Sequence, residues 1–147
     1  NPRRLIRAIE IAQKYEMPDM KYENNSEFDF LWIGITTDFV ALYERIDARV
    51  EERLKLGAVE ETKRLAKQYG WDIPAMTGQG YRELRDYIEG KISFEDAVKR
   101  WKFAEHEYAR KQMTWFKKEK RIVWFDISDK NYRAKVEESV REWYISN

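Results

Sequence analysis

Phe30-Leu-Trp-Ile-Gly-Ile-Thr36 is an uncharged run of β-forming residues, and Ile122-Val-Trp-Phe-Asp-Ile127 answers it late in the chain. Short, continuously apolar runs of this kind read as strands covered on both faces, as inside parallel sheets. Two such strands cannot bury both faces and satisfy both edges within a sheet of two. The expectation is a mainly α chain with two short strands, an α/β fragment whose helices pack on strands that something else completes. The first residue, Asn1 rather than Met, carries the same expectation of a segment cut from a longer protein.

Around the strands the spacing predicts helices. Pro2 sits where a first turn tolerates it, and Leu5, Ile6, Ala8, Ile9 and Ala12 then recur at helical intervals, with Arg3, Arg4 and Arg7 outside that stripe. Pro18–Glu27, polar and containing Asn24-Asn25-Ser26, reads as a mobile loop. Asp38 caps a helix striped by Phe39, Leu42, Tyr43, Ile46 and Val50 that ends near Gly57. A further helix runs from about Ala58 to Tyr69 and stops at Gly70. Pro74, Gly78 and Gly80 make Trp71–Gly80 a structured loop, after which Tyr81–Glu89 is helical and Gly90 ends it. Ser93, with Asp96 three residues on, starts the longest helix, and Asp129 caps a last one with Val136, Val140 and Trp143 inward.

At 147 residues the chain suits one domain, and 43% hydrophobic with 15% aromatic content is enough to offset chain entropy. With 37% charged residues, that apolar content must lie in stripes on amphipathic helices. The absence of cysteine excludes a disulfide framework and thiolate chemistry, and fits a reducing cytoplasm. A single histidine, His106, excludes a histidine-cluster metal site. No run approaches the roughly 18 apolar residues of a membrane span, and no membrane partner is expected.

Net charge is only +1, yet Tyr108–Arg121 carries six Lys/Arg against one Glu. On a wheel of about 100° per residue, Tyr108 and Trp115 align with Phe94, Ala97, Trp101 and Ala104, a side that assigns Trp115 to the core. Lys99, His106, Arg110, Lys117 and Arg121 fall opposite, where they either lie along phosphates or form a solvated face. Gln112 falls about 40° from Tyr108; it holds a neighbouring backbone or shapes a channel, and the structural role is favoured because a buried amide needs partners. Arg45 and Arg49, four apart on one helix face, are placed to converge on a diphosphate. The alternative pairs Arg49 with Glu52 and leaves Arg45 solvated.

Five motifs stand in order: Asn1-Pro-Arg-Arg-Leu-Ile-Arg-Ala-Ile-Glu10; Leu42-Tyr-Glu-Arg-Ile-Asp-Ala-Arg-Val50; Gly57 followed by Glu60-Glu61; Gly80-Tyr-Arg-Glu83; and Tyr108-Ala-Arg-Lys-Gln-Met-Thr-Trp-Phe116. Together, from the first residue to about Asp126, they resemble the C-terminal half of the tRNA dimethylallyltransferase, or tRNA isopentenyltransferase, family. That resemblance implies transfer of dimethylallyl from dimethylallyl diphosphate to N6 of the adenosine 3′ of the anticodon. It implies a P-loop-type α/β core, Mg²⁺ in the complete enzyme and a grip on the tRNA anticodon stem-loop. It implies tRNA contact from Arg3, Arg4 and Arg7; from the Gly78–Glu83 turn with Gly80, Tyr81 and Arg82; and from Arg110, Lys111, Gln112, Thr114 and Lys117. Arg49, seconded by Arg45, is the implied diphosphate ligand. Glu105 and His106 stand where the family commonly has Thr-Arg, Arg110-Lys111 reverses the usual Lys-Arg order, and Gln79 replaces an apolar residue.

No Gly-x-x-x-x-Gly-Lys-Ser/Thr occurs. The family's P-loop and catalytic aspartate belong to an N-terminal half that this sequence lacks. No catalytic residue and no metal ligand is therefore expected in this segment, and the isolated chain is expected to be inactive. A free-standing RNA-binding helical module and a helical assembly protein are the competing readings.

Overall fold

The computed structural model describes residues 2–14 and 28–146, and the chain divides into two compact units, Asn1–Phe30 and Leu31–Asn147. The expected loop at 18–27 lies outside the described residues. In the first unit, α1 (Pro2–Lys14) is the helix that the Leu5, Ile6, Ile9 spacing predicts, and all three side chains are exposed.

The second unit runs β1 (Trp32–Thr36), α2 (Phe39–Lys55), α3 (Ala58–Tyr69), a 3-10 turn at Pro74–Thr77, α4 (Tyr81–Ile88), α5 (Phe94–Phe116), β2 (Ile122–Asp126) and α6 (Tyr132–Ser146). The fold is mainly α with two short strands, as expected. The strands pair in parallel with Trp32 opposite Ile122 and Thr36 opposite Asp126, each shorter than its apolar run. Gly34 is the strand position where bulk is excluded, since a Cβ there would lie 2.6 Å from Ile122 Cγ2 and Trp124 Cε3.

Local chemistry sets the helix ends. Asp38 accepts from the Ala41 N–H at 3.0 Å, and Ser93 accepts from the Asp96 N–H at 3.1 Å, so these two of the three expected caps form, whereas Asp129 lies three residues before α6 begins and accepts from the Asn131 N–H at 2.8 Å. The core gathers Val50, Val59, Leu84, Ala97 and Trp101, contributed by α2, α3, α4 and α5. Gly80, at φ +90°, brings the α4 entrance against Trp101 so closely that a Cβ would sit 2.6 Å from Cζ2.

Three further expectations are corrected. The basic helix ends at Phe116 and is capped by Lys117, so Arg121 lies beyond it, paired with Glu119 at 2.8 Å and resting over the Trp32 ring at 4.8 Å. Trp115 is 68% exposed and packs edge-on against Phe116; the buried residues of α5 stop at Glu105, and past that point its apolar side loses its cover. In α6 the half-buried positions are Tyr132, Val136, Ser139 and Trp143, a single stripe that leaves Val140 exposed.

Candidate functional site

Where α2 meets α5, Leu42, Ile46 and Arg49 from one helix face Glu105, Tyr108, Gln112, Met113 and Phe116 from the other. Ile35 and Trp124 of the two strands close a cavity of about 380 Å³. The lining follows from periodicity, since positions three and four apart share a face and both helices turn that face inward. The cavity thus sets one guanidinium, one carboxylate and one amide among aromatic and aliphatic walls.

Its polar centre is a buried charge. Glu105, with its side chain 7% exposed, meets Arg49 Nη2 at 3.4 Å and Arg53 Nη1 at 3.5 Å, and its Oε1 accepts from Trp101 Nε1 at 3.2 Å. Two cations and one anion leave the cluster with one net positive charge. The partner of Arg49 is therefore Glu105 on another helix rather than Glu52. Arg45 does not line the cavity and forms no ion pair among the described residues, so α2 aims Arg49 and Arg53 at a common point and leaves Arg45 outside. The sequence held a signal for this: Glu105 is a carboxylate four residues past Trp101 on an otherwise apolar stripe, and Arg53 follows Arg49 by four.

Gln112 departs from its favoured structural role. It is exposed on the cavity lining and its amide engages no protein partner among the described residues. His106 is committed elsewhere, stacked on Tyr43 with ring centroids 4.1 Å apart and with Nε2 2.8 Å from Asp47 Oδ1. These two contacts tie α5 to α2.

The α4 entrance and α5 do come together. Arg82 and Lys111 share a depression of about 380 Å³ with Gln79, Phe103, Glu107 and Tyr108. Glu83 braces this entrance, accepting from the Gly80 N–H at 2.8 Å and from Arg82 Nε and Nη2 at 2.8 and 2.6 Å. Lys111 and Lys117 have no ion-pair partner among the described residues, whereas Arg110 is paired with Glu107. Thr114 turns its hydroxyl back onto the Arg110 carbonyl at 2.9 Å. Tyr81 lines a further cavity of about 410 Å³ with Arg53, Gln79 and Trp101. Its hydroxyl donates to Glu61 at 2.5 Å, and that bond is the main reason its phenol titrates above the ordinary tyrosine range. In the other unit Arg4 is exposed and Arg7 pairs with Glu10 at 3.2 Å, while the Arg3 side chain lies outside the described part.

The described residues offer no group of three or more His, Cys, Asp or Glu suited to a metal ion. Glu105, the one carboxylate on the α2–α5 cavity, already receives two guanidiniums and an indole. The α2–α5 cavity therefore has no free carboxylate among its lining residues, and what it offers is fixed cations and hydrogen-bond donors. No helix among the described residues is long and apolar enough to cross a membrane.

The family model described as IPP transferase matches residues 1–119. The chain is 38% identical to the tRNA dimethylallyltransferase of Thermomicrobium roseum over 97% of its length, covering 45% of that protein. It is 43% identical to that of Limosilactobacillus reuteri over 86% of the chain and 42% of the relative. Among solved structures it superposes on the tRNA delta(2)-isopentenylpyrophosphate transferase of Staphylococcus epidermidis with a TM-score of 0.76 at 30% identity, over 100% of this chain and 49% of that one. The full-length tRNA isopentenylpyrophosphate transferase of Bacillus halodurans gives 0.74 at 30% identity, over 99% and 45%. The chain spans about half the length of the relatives it matches, and it belongs to the IPP transferase family.

Proposed function

We propose that this chain is the C-terminal part of a cytoplasmic tRNA prenyltransferase. The complete enzyme moves dimethylallyl from dimethylallyl diphosphate to N6 of the adenosine 3′ of the anticodon. In that reaction N6 bonds to the allylic carbon, the carbon–oxygen bond to diphosphate breaks, and N6 loses a proton. This segment supplies the diphosphate contact through Arg49 and the tRNA contacts through Arg82, Lys111, Gln112 and Lys117; Arg45 lies off the cavity and is the weaker candidate. A guanidinium already fixed beside the leaving group stabilises charge as it develops there. Lysines and arginines at helical spacing hold phosphates without reading sequence.

The observation that carries the reading is the cavity where Arg49 and Gln112 stand together beside two parallel strands with exposed apolar side chains. Those strands also favour it over a free-standing RNA module, because Ile35 at 58% and Val123 at 42% exposure call for a further layer. The proposed layer is the P-loop half, which also brings the catalytic aspartate and the metal. The chain alone is then inactive.

The test fuses the chain to the P-loop half of the Staphylococcus epidermidis relative and follows labelled prenyl transfer to an anticodon stem-loop. The fusion is expected to be active, each half silent, stem-loop binding to weaken with salt, and Arg49→Ala to slow transfer about 10²–10³-fold. Activity of the 147-residue chain by itself, a silent fusion, or binding indifferent to salt overturns the proposal.

A further inference from the structure

We propose that Glu105 is a positioning residue that sets the Arg49 guanidinium at the mouth of the α2–α5 cavity; the inference rests on Arg49 being the diphosphate ligand. A charge with 7% exposure is held in place only when its partners satisfy it, and Glu105 has three: Arg49, Arg53 and the Trp101 indole. The indole is itself immobile, 3% exposed in the core and wedged against the Gly80 backbone. Fixation therefore passes from the packed core to Trp101, from Trp101 to the carboxylate, and from the carboxylate across the helix interface to Arg49. Without that anchor the long Arg49 side chain, 53% exposed, is free to spread over its rotamers, a freedom that an anion must remove on binding.

The anchor leaves Arg49 able to bind. Its 3.4 Å contact is longer than a tight charge-assisted hydrogen bond, and it engages one of five guanidinium N–H groups. Arg53 on the same carboxylate keeps the cluster at one net positive charge.

Electrostatics and positioning predict opposite signs. Removing a carboxylate 3.4 Å from Arg49 raises the local positive potential and by charge alone tightens anion binding. Loss of positioning weakens it. Inorganic pyrophosphate is titrated into the full chain by NMR, reading the Arg49 Nε–H and Trp101 Nε1–H signals. Glu105→Ala is expected to weaken binding about tenfold, and Glu105→Gln, which keeps the volume and an acceptor for the indole, about threefold. In an Arg49→Ala background the Glu105 substitutions are expected to change nothing, since interacting sites are non-additive.

Where Glu105→Ala does not fold, Glu105→Gln carries the comparison. A measurement on the unaltered chain stands beside both: the Arg49 Nε–H vector is expected to be rigid while that of Arg45, which has no such anchor, is mobile. Binding that is equal or tighter in the folded Glu105 variants, or an Arg49 head as mobile as Arg45, overturns the positioning role alone. Pyrophosphate that does not bind the unaltered chain, or binds Arg49→Ala equally well, overturns the diphosphate reading beneath it.

Discussion

The helical module and the strand pair of the second unit are built to different degrees of completion. Among the helices, Val50 and Ala97 are closed to solvent, Leu84 is 1% exposed and Trp101 3%. Along the strands Trp32, Ile33, Ile35 and Val123 are all more than a third exposed, and α6, packed beside β2, buries no residue fully. The helices satisfy one another; the strands carry apolar area that no described element of this unit fully covers. The α2–α5 cavity lies on the seam, taking Arg49 and Gln112 from the finished side and Ile35 and Trp124 from the unfinished one. A ligand site on such a seam has its charged wall, Arg49 beside Glu105, in place before any further layer arrives.

Four measurements break or sharpen this contrast. Leu84→Ala, in the finished region, is expected to cost about 3 kcal/mol in denaturant unfolding; a loss under 1 kcal/mol would erase the distinction. Gly80→Ala is expected to cost about 2 kcal/mol, because it combines a left-handed backbone with a clash against Trp101. Ile35→Ser, in the unfinished region, is expected to stay within about 0.5 kcal/mol in the chain alone while weakening its association with a separately made P-loop half. Equal stability together with undiminished association would show that the strands are not waiting for cover.

The smallest effect concerns pH. Side-chain and then backbone hydrogen bonds from Arg121 hold the Glu119 carboxyl at about 2, against an ordinary 4.5. A lowered folded-state value means that this stabilisation is complete above about pH 4.5 and fades as pH falls towards 2. Melting temperatures of the unaltered chain and Glu119→Gln should differ slightly at neutral pH and converge on acidification. A gap that widens in acid contradicts the assignment.

What the sequence made legible was local. The caps at Asp38 and Ser93 need only residues three positions apart, and the stripe through Ile46 and Val50 needs one helical period. What it hid was non-local: Arg49 finds Glu105 and His106 finds Asp47 across a helix interface that no neighbouring residue announces. Trp115 shows the limit of periodicity, which assigns a residue to a side of a helix but does not say how far along the helix that side is covered. Gln112 fails for the same reason. Its angle on the wheel suggested burial, and the cavity leaves it open.

Parallel pairing of β1 with β2 spans four intervening helices. During synthesis β1 leaves the ribosome long before its partner exists, and its loop-closure entropy is offset only once α2 to α5 have drawn the chain ends together. The strands are thus the last elements to set and the first to be left bare when assembly stalls. A newly made chain is most exposed to aggregation or chaperone capture at Trp32–Thr36, the ribbon that must wait the longest.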